Sequence, residues 1–195
     1  MDDIPPRDTP NARPLAGGEL RETLLAARPV YEGRYLRVEE RTVRLPDGRE
    51  GRREIVAPPN AVGVLPITDQ GVVYLVRQYR TALERTILEI PAGILEPGED
   101  PEQTARRECG EEIGLSPARL EPLFGYYHSV GFSTGRIEVF LGRDLRPAPH
   151  AKPDGTEFLE VVTMPFDELL DRVRRGEIVD SKTLLAATWY HAFYA

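Results

Sequence analysis

The sequence predicts an α+β fold, a mixed sheet with flanking helices, and three observations lead to it. Short apolar runs rich in Val, Ile and Leu fill the middle of the chain, punctuated by turn signals such as Pro46-Asp47-Gly48 and Asp69-Gln70-Gly71. Helical periodicity enters after Pro101 and returns after Pro165. Strands therefore come first, and helices follow them and close the chain. No internal repeat is visible.

Taken in order, residues 1–29 read as a flexible arm, proline-rich up to Leu20, with a short helix over Leu20–Ala27. From Val30 the pattern changes to strands: Tyr35–Leu45 and Glu50–Val56 flank the Pro-Asp-Gly turn, giving an N-terminal hairpin over 30–57. After the break at Pro58-Pro59-Asn60, the domain proper is expected over 58–195. Ala61–Thr68 and Val72–Tyr79 read as a second hairpin, Thr86–Ile90 as a short strand, Ala92–Asp100 as a loop and Pro101–Ile113 as a helix. Leu120–Tyr127, Ile137–Leu145 and Phe158–Met164 are further strands, with a polar loop of three prolines over Pro147–Thr156. A helix follows Pro165. In the last one, from Ser181, the residues Leu184, Leu185, Trp189 and Phe193 are spaced to form one buried face.

Composition narrows the function. A net charge of −7 argues against a nucleic-acid partner, because phosphate backbones demand a basic footprint. The basic residues are nearly all arginine, with Lys152 and Lys182 the two lysines, so guanidinium forks are available for phosphate oxygens. A single cysteine, Cys109, excludes an internal disulfide and fits a reducing, cytoplasmic setting; its place on the apolar side of a helix reads as packing. The N-terminus lacks the apolar core of a secretory signal, and no run approaches the ~18 apolar residues of a membrane span.

The chemistry concentrates in Gly93–Leu115, GILEPGEDPEQTARRECGEEIGL. Asp100 can cap the helix, Pro101 suits its first turn, and Gly114 suits a left-handed stop. Glu108, Glu111 and Glu112 stand at i, i+3 and i+4, so the three carboxylates share one side, bordering the apolar stripe Ala105, Cys109, Ile113. Like charges at these spacings cost an isolated helix ~0.2–0.5 kcal/mol per pair, and Arg107 to Glu111 recovers about one such term. A cation would relieve the remainder. Clustered hard oxygen ligands, with neither a cysteine pair nor His-x-x-x-His, favour Mg²⁺ or Mn²⁺ over Zn²⁺. A solvated acidic face bridged to arginines is the bland alternative.

The spacing weighs against that alternative. Gly93, five residues, Glu99, seven residues, Arg107-Glu108, one aliphatic-sized position, one free position, Glu111-Glu112, one free position, Gly114 and Leu115 together resemble the Nudix box, with every fixed position present. The resemblance to Nudix hydrolases implies an α/β/α sandwich with a mixed sheet, and hydrolysis of a nucleoside diphosphate linked to another moiety. It also implies metal coordination by Glu108, Glu111 and Glu112 and by the Ala92 carbonyl, with Arg107 orienting the helix carboxylates and Glu99 steadying the loop.

From about Tyr31 onward the chain resembles the ADP-ribose pyrophosphatase branch, through Val76-Arg77-Gln78-Tyr79-Arg80, Leu88-Glu89-Ile90-Pro91-Ala92-Gly93, Gly131-Phe132-Ser133 and Tyr190-His191-Ala192-Phe193. That branch implies substrate binding by Arg80 and Glu89 and a catalytic base from the polar loop, for which Glu157 is best placed and Glu160 is the reserve. It further implies a homodimer exchanging the N-terminal hairpin, which makes Arg52 and Arg53 candidates for the partner's pocket. They read equally as edge-strand arginines that discourage aggregation. Val130 stands where the branch commonly has proline, so another nucleoside diphosphate sugar or a dinucleotide stays open beside ADP-ribose. His128 and His191 read as structural. Loss of box carboxylates would mark a non-catalytic ADP-ribose sensor, and none is lost here.

Overall fold

A computed structural model of the chain describes residues 20–148 and 158–194. Ten strands and three helices are named in chain order: β1 (Thr23–Glu32), β2 (Arg37–Arg44), β3 (Glu50–Ala57), β4 (Ala61–Pro66), β5 (Val72–Arg80), β6 (Arg85–Glu89), β7 (Ala92–Ile94), α1 (Pro101–Ile113), β8 (Leu115–Tyr127), β9 (Arg136–Pro147), β10 (Leu159–Pro165), α2 (Phe166–Arg174) and α3 (Ser181–Phe193).

The expected N-terminal hairpin is present as β2 and β3, in register from Arg37↔Ala57 to Arg44↔Glu50. The helix expected over 20–27 is absent: residues 23–27 belong to β1, which pairs antiparallel with β2 and makes the sheet three-stranded. Isolated helices this short are marginal in water, and Pro29 blocks extension, so backbone pairing with β2 prevails. All ten residues of β1 are exposed, and pairing rather than burial holds the strand.

The expected hairpin of β4 and β5 is also corrected. Its turn forms, with the Gly71 N–H donating to the Thr68 carbonyl at 2.9 Å, but one bridge, Ile67↔Val73, is all that joins the two runs. Beyond it they part into different sheets. β5 lies between β10 and β6, whereas β4 lies between β7 and β9 in a four-stranded mixed sheet whose order is β7-β4-β9-β8. The β4–β9 pairing is parallel and its neighbours are antiparallel.

Both faces of these strands are covered, and the period of two divides the core. Val62 and Val64 of β4, Val76 of β5 and Phe140 of β9 pack with Ala105, Cys109 and Ile113 of α1. Leu65, Val73, Leu75, Val139 and Leu141 pack instead with Phe166, Leu169 and Leu170 of α2 and Ala186 and Ala187 of α3. Helices on opposite faces of the strands form the α/β/α sandwich. In α3 the face turned inward differs from the expected one. Lys182, Thr183, Ala186 and Ala187 are buried, while Leu184, Leu185, Trp189 and Phe193 are 36–68% exposed.

Candidate active site

Helix α1 is bounded as its sequence implies. The Asp100 side chain accepts from the Glu102 N–H at 2.9 Å, Pro101 occupies the first turn, and Gly114 closes the helix at φ 69°. Its apolar stripe is buried, and burial pushes the Cys109 thiol pKa up, which keeps that residue a packing group. The acidic side faces β7. Strand β7 is where the structure fills in the expected loop 92–100, pairing Ala92 with Gly63 and Gly93 with Val62.

Arg107 organises the carboxylates. Its Nε and Nη2 each donate to Glu99 at 3.0 Å, its Nη1 donates to Glu108 at 2.7 Å and to Glu111 at 3.1 Å, and Nη2 also reaches the Ile94 carbonyl at 3.3 Å. One planar guanidinium thus joins the loop glutamate, two helix glutamates and β7, a geometry that an ammonium could not reproduce. Glu112 is 6% exposed and accepts from the Ala92 N–H at 3.0 Å, tying the helix to the strand that carries the Ala92 carbonyl. Gly93 fits for a steric reason: a Cβ at that position would overlap the Glu108 carboxylate.

The Arg107 hydrogen bonds hold the Glu99 carboxyl at about 2, against an ordinary 4.5. A carboxylate with a lowered pKa stabilises the fold fully above its unfolded value and loses that contribution as the pH falls through the folded value. The Glu99–Arg107 contribution is therefore complete above pH 4.5 and fades toward pH 2. Glu99→Gln is expected to lower the thermal midpoint at pH 7 by about 2–4 °C, the upper end for an exposed ion pair in a domain of this size. Thermal scans from pH 7 to pH 3 should show that gap narrowing, and a gap constant across the range would contradict the assignment.

Glu108, Glu111 and Glu112 line a cavity of about 400 Å³, together with Arg107, Ile94, Glu96, Pro59, Leu159, Arg34 and Tyr35. Arg34 and Tyr35 come from the turn between β1 and β2, with the Arg34 guanidinium 5.1 Å from the Tyr35 ring centroid. The N-terminal sheet therefore supplies a wall of the site. It is fixed to the rest of the chain by the Gly-rich loop, where Val56 N donates to the Phe132 carbonyl at 2.7 Å and Thr134 N to the Val56 carbonyl at 3.0 Å. Sequence reasoning missed Arg34 and Tyr35. An Arg-Tyr pair beside Gly33 in a turn was the available signal.

Arg80 and Glu89 are brought together with each other, and neither lines this cavity. Arg80 Nε and Nη2 donate to the two Glu89 oxygens at 2.6 and 3.0 Å, and Glu89 is 2% exposed. Burial works to raise the Glu89 pKa, but the Arg80 hydrogen bonds and the charge of Lys182 outweigh it and hold the carboxyl below the usual range. Hydrogen bonding to Glu89 raises the Arg80 pKa, with a smaller contribution from the charge of Glu112. Lys182, which sequence reasoning left without a role, is ion-paired with Glu89 and lies 3.0 Å from Asp180.

The remaining candidates are placed elsewhere. Arg53 pairs with Glu22, and Arg52, with an 80% exposed side chain, lies 3.9 Å from Glu40, so neither lines the cavity of its own chain. Glu160 is engaged by Arg77 across the β10–β5 pair. Glu157 lies outside the described residues.

Among the described residues, no group of three or more His, Cys, Asp or Glu side chains is arranged to hold a metal ion. The donor set nevertheless suits a hard divalent cation: three helix carboxylates open onto one cavity, and the glycine beside Glu108 leaves its carboxylate room.

Residues 57–185 match the NUDIX domain family, and residues 22–56 match the nucleoside diphosphate sugar hydrolase N-terminal domain. The chain belongs to the Nudix family. Its members are generally dependent on divalent metals, and the chain is a Nudix pyrophosphohydrolase acting on nucleoside diphosphate compounds. It is 40% identical to an ADP-ribose pyrophosphatase of Bacillus subtilis over 86% of this chain and 91% of that one. It is also 37% identical to a methanol dehydrogenase activator of Bacillus methanolicus, again over 86% of this chain and 91% of the other. Among solved structures, an ADP compounds hydrolase shares the Nudix fold, with a TM-score of 0.80 at 23% identity over 89% of this chain and 94% of that one. No helix among the described residues is long and apolar enough to cross a membrane.

Proposed function

We propose that this Nudix enzyme hydrolyses the pyrophosphate bond of ADP-ribose to AMP and ribose 5-phosphate in the cytoplasm, with Mg²⁺ or Mn²⁺. The observation that carries the reading is the cavity itself: it joins the carboxylate face of α1 to Arg34 and Tyr35 of the N-terminal sheet. A diphosphate drawn to the metal would leave its nucleoside or sugar end beside an aromatic ring. The 40% identity to an ADP-ribose pyrophosphatase supports the same substrate.

Glu108, Glu111, Glu112 and the Ala92 carbonyl would hold the metal, which when bound supplies charge neutralisation of the phosphates and an acidified water. Arg107 keeps Glu108 and Glu111 side by side, and the Glu112–Ala92 hydrogen bond sets the strand against the helix. Arg80 provides a guanidinium for phosphate oxygens, held by Glu89. Glu157 takes a proton from the attacking water, a role worth about 10²–10⁴ in rate. In the sequence it stands two residues before Leu159, which lines the cavity. Glu157→Gln is accordingly expected to abolish turnover while ADP-ribose still binds; parental turnover would assign the base elsewhere.

The reading includes a homodimer. Leu24, Val30 and Tyr31 of β1 are more than half exposed, an apolar surface that a second copy would cover, and sedimentation equilibrium reads the stoichiometry directly. The deciding experiment for the activity is a panel of ADP-ribose, other nucleoside diphosphate sugars and dinucleotides with Mg²⁺ and with Mn²⁺, products resolved. AMP plus ribose 5-phosphate as the fastest products supports the proposal. Faster cleavage of another substrate replaces ADP-ribose, and tight binding without hydrolysis across the panel points to a sensor.

A further inference from the structure

The link between β6 and β7 is two residues, Ile90-Pro91, and a candidate site residue flanks it on each side, Glu89 and Ala92. It also crosses between sheets, since β6 pairs with β5 and β7 pairs with β4. Such a crossover has little ladder of its own to fix it. Two partners hold it: the Val64 N–H of β4 donates to the Pro91 carbonyl at 2.9 Å, and from the first turn of α3 Thr183 Oγ1 accepts from the Ile90 N–H at 2.8 Å and donates in turn to Asp180 at 2.6 Å. Lys182 reaches the residue before this link from the same turn, through its ion pair with Glu89.

The charge balance of this group is informative. Arg80 and Lys182 face Glu89 and Asp180, two cations against two anions. Lys182 is 7% exposed and Glu89 2%, so water does little to screen either. The Arg80 side chain, by contrast, is 40% exposed. If Lys182 were absent, Arg80 would be the one cation on Glu89, and its charge would be consumed by that buried carboxylate. With Lys182 in place the buried carboxylate is shared between two cations, and the four groups balance as a unit. Arg80 is then held in orientation by both Glu89 oxygens while its own side chain stays partly open to solvent.

We propose that Lys182 is a positioning residue for substrate binding, acting through Glu89 to orient Arg80 toward the diphosphate of a nucleoside diphosphate substrate. This rests on the reading that Arg80 binds substrate. It assigns to the C-terminal helix a part in the site that its distance in the chain conceals.

The test is a double-mutant cycle on the full chain with Lys182→Met, Arg80→Met and the pair, following kcat and KM for ADP-ribose with Mg²⁺, together with ADP-ribose binding by calorimetry in metal-free buffer. Lys182→Met is expected to raise KM and the dissociation constant about 10-fold with kcat within threefold, the pattern of lost uniform binding. In the Arg80→Met background the same change should add less than twofold, because both residues act along one path. A Lys182→Met effect that is equal in both backgrounds, or a lowered thermal midpoint with KM and binding unchanged, overturns the positioning role and leaves a structural one. Where Lys182→Met does not fold, Lys182→Gln, which keeps a hydrogen-bond donor for Glu89 and lacks the charge, carries the same expectations. A parent chain that binds ADP-ribose without cleaving it overturns the proposed activity while the binding cycle still judges Lys182. A parent that does neither overturns both.

Discussion

Glu112→Gln is expected to lower kcat by about 10³-fold while leaving the thermal midpoint within a few degrees of the parent. Glutamine has the same shape and keeps a carbonyl oxygen to accept the Ala92 N–H, so the contact between α1 and β7 survives. What it lacks is the negative charge. A side chain that faces the cavity beside Glu108 and Glu111 would then no longer help to neutralise a divalent cation, and Mn²⁺ binding followed by electron paramagnetic resonance should weaken in parallel with kcat. Turnover of ADP-ribose at the parental rate with Mg²⁺ would remove Glu112 from the metal site.

Gly93→Ala should be nearly as damaging, through a different cause. The backbone of Gly93 is not in the left-handed region, so alanine meets no torsional penalty there. The obstacle is the Glu108 carboxylate, into which the new methyl would project. Either Glu108 swings away from Arg107 or β7 moves from α1, and forced displacements of this kind cost about 1–3 kcal/mol. We expect a fall in kcat of at least about 10²-fold together with a thermal midpoint lowered by several degrees. That combination separates it from Glu112→Gln, which spares stability. A fully active Gly93→Ala enzyme would show that Glu108 need not occupy its present position.

The parts of this molecule that could be read from the sequence are those decided locally. The limits of α1 follow from Asp100, Pro101 and Gly114, all within the helix or next to it, and the clustering of Glu108, Glu111 and Glu112 follows from helical spacing alone. Choices made over long distances were not legible. The turn at Asp69-Gln70-Gly71 looks the same whether β4 and β5 pair or part; what separates them is competition from β9 and β10, strands far along the chain. The inward face of α3 was misjudged for a related reason. Ala186 and Ala187 let the helix approach the strands closely, and the larger Leu184, Leu185, Trp189 and Phe193 are turned outward. The burial of Lys182 depended on a carboxylate 93 residues earlier.

Helix α3 also contains the only tryptophan of the chain, Trp189, two turns beyond Lys182. Its ring sits 5.0 Å from that of Phe124 on β8 and 4.9 Å from that of Phe193. The molecule therefore carries a native optical reporter on the body of the very helix whose first turn holds Glu89. Undocking of that helix would shift the emission of Trp189 toward the spectrum of the free indole, whereas loosening confined to its first turn would leave the emission unchanged. Unlabelled protein can thus distinguish a helix that has lost its grip on the crossover from one that has left the sheet.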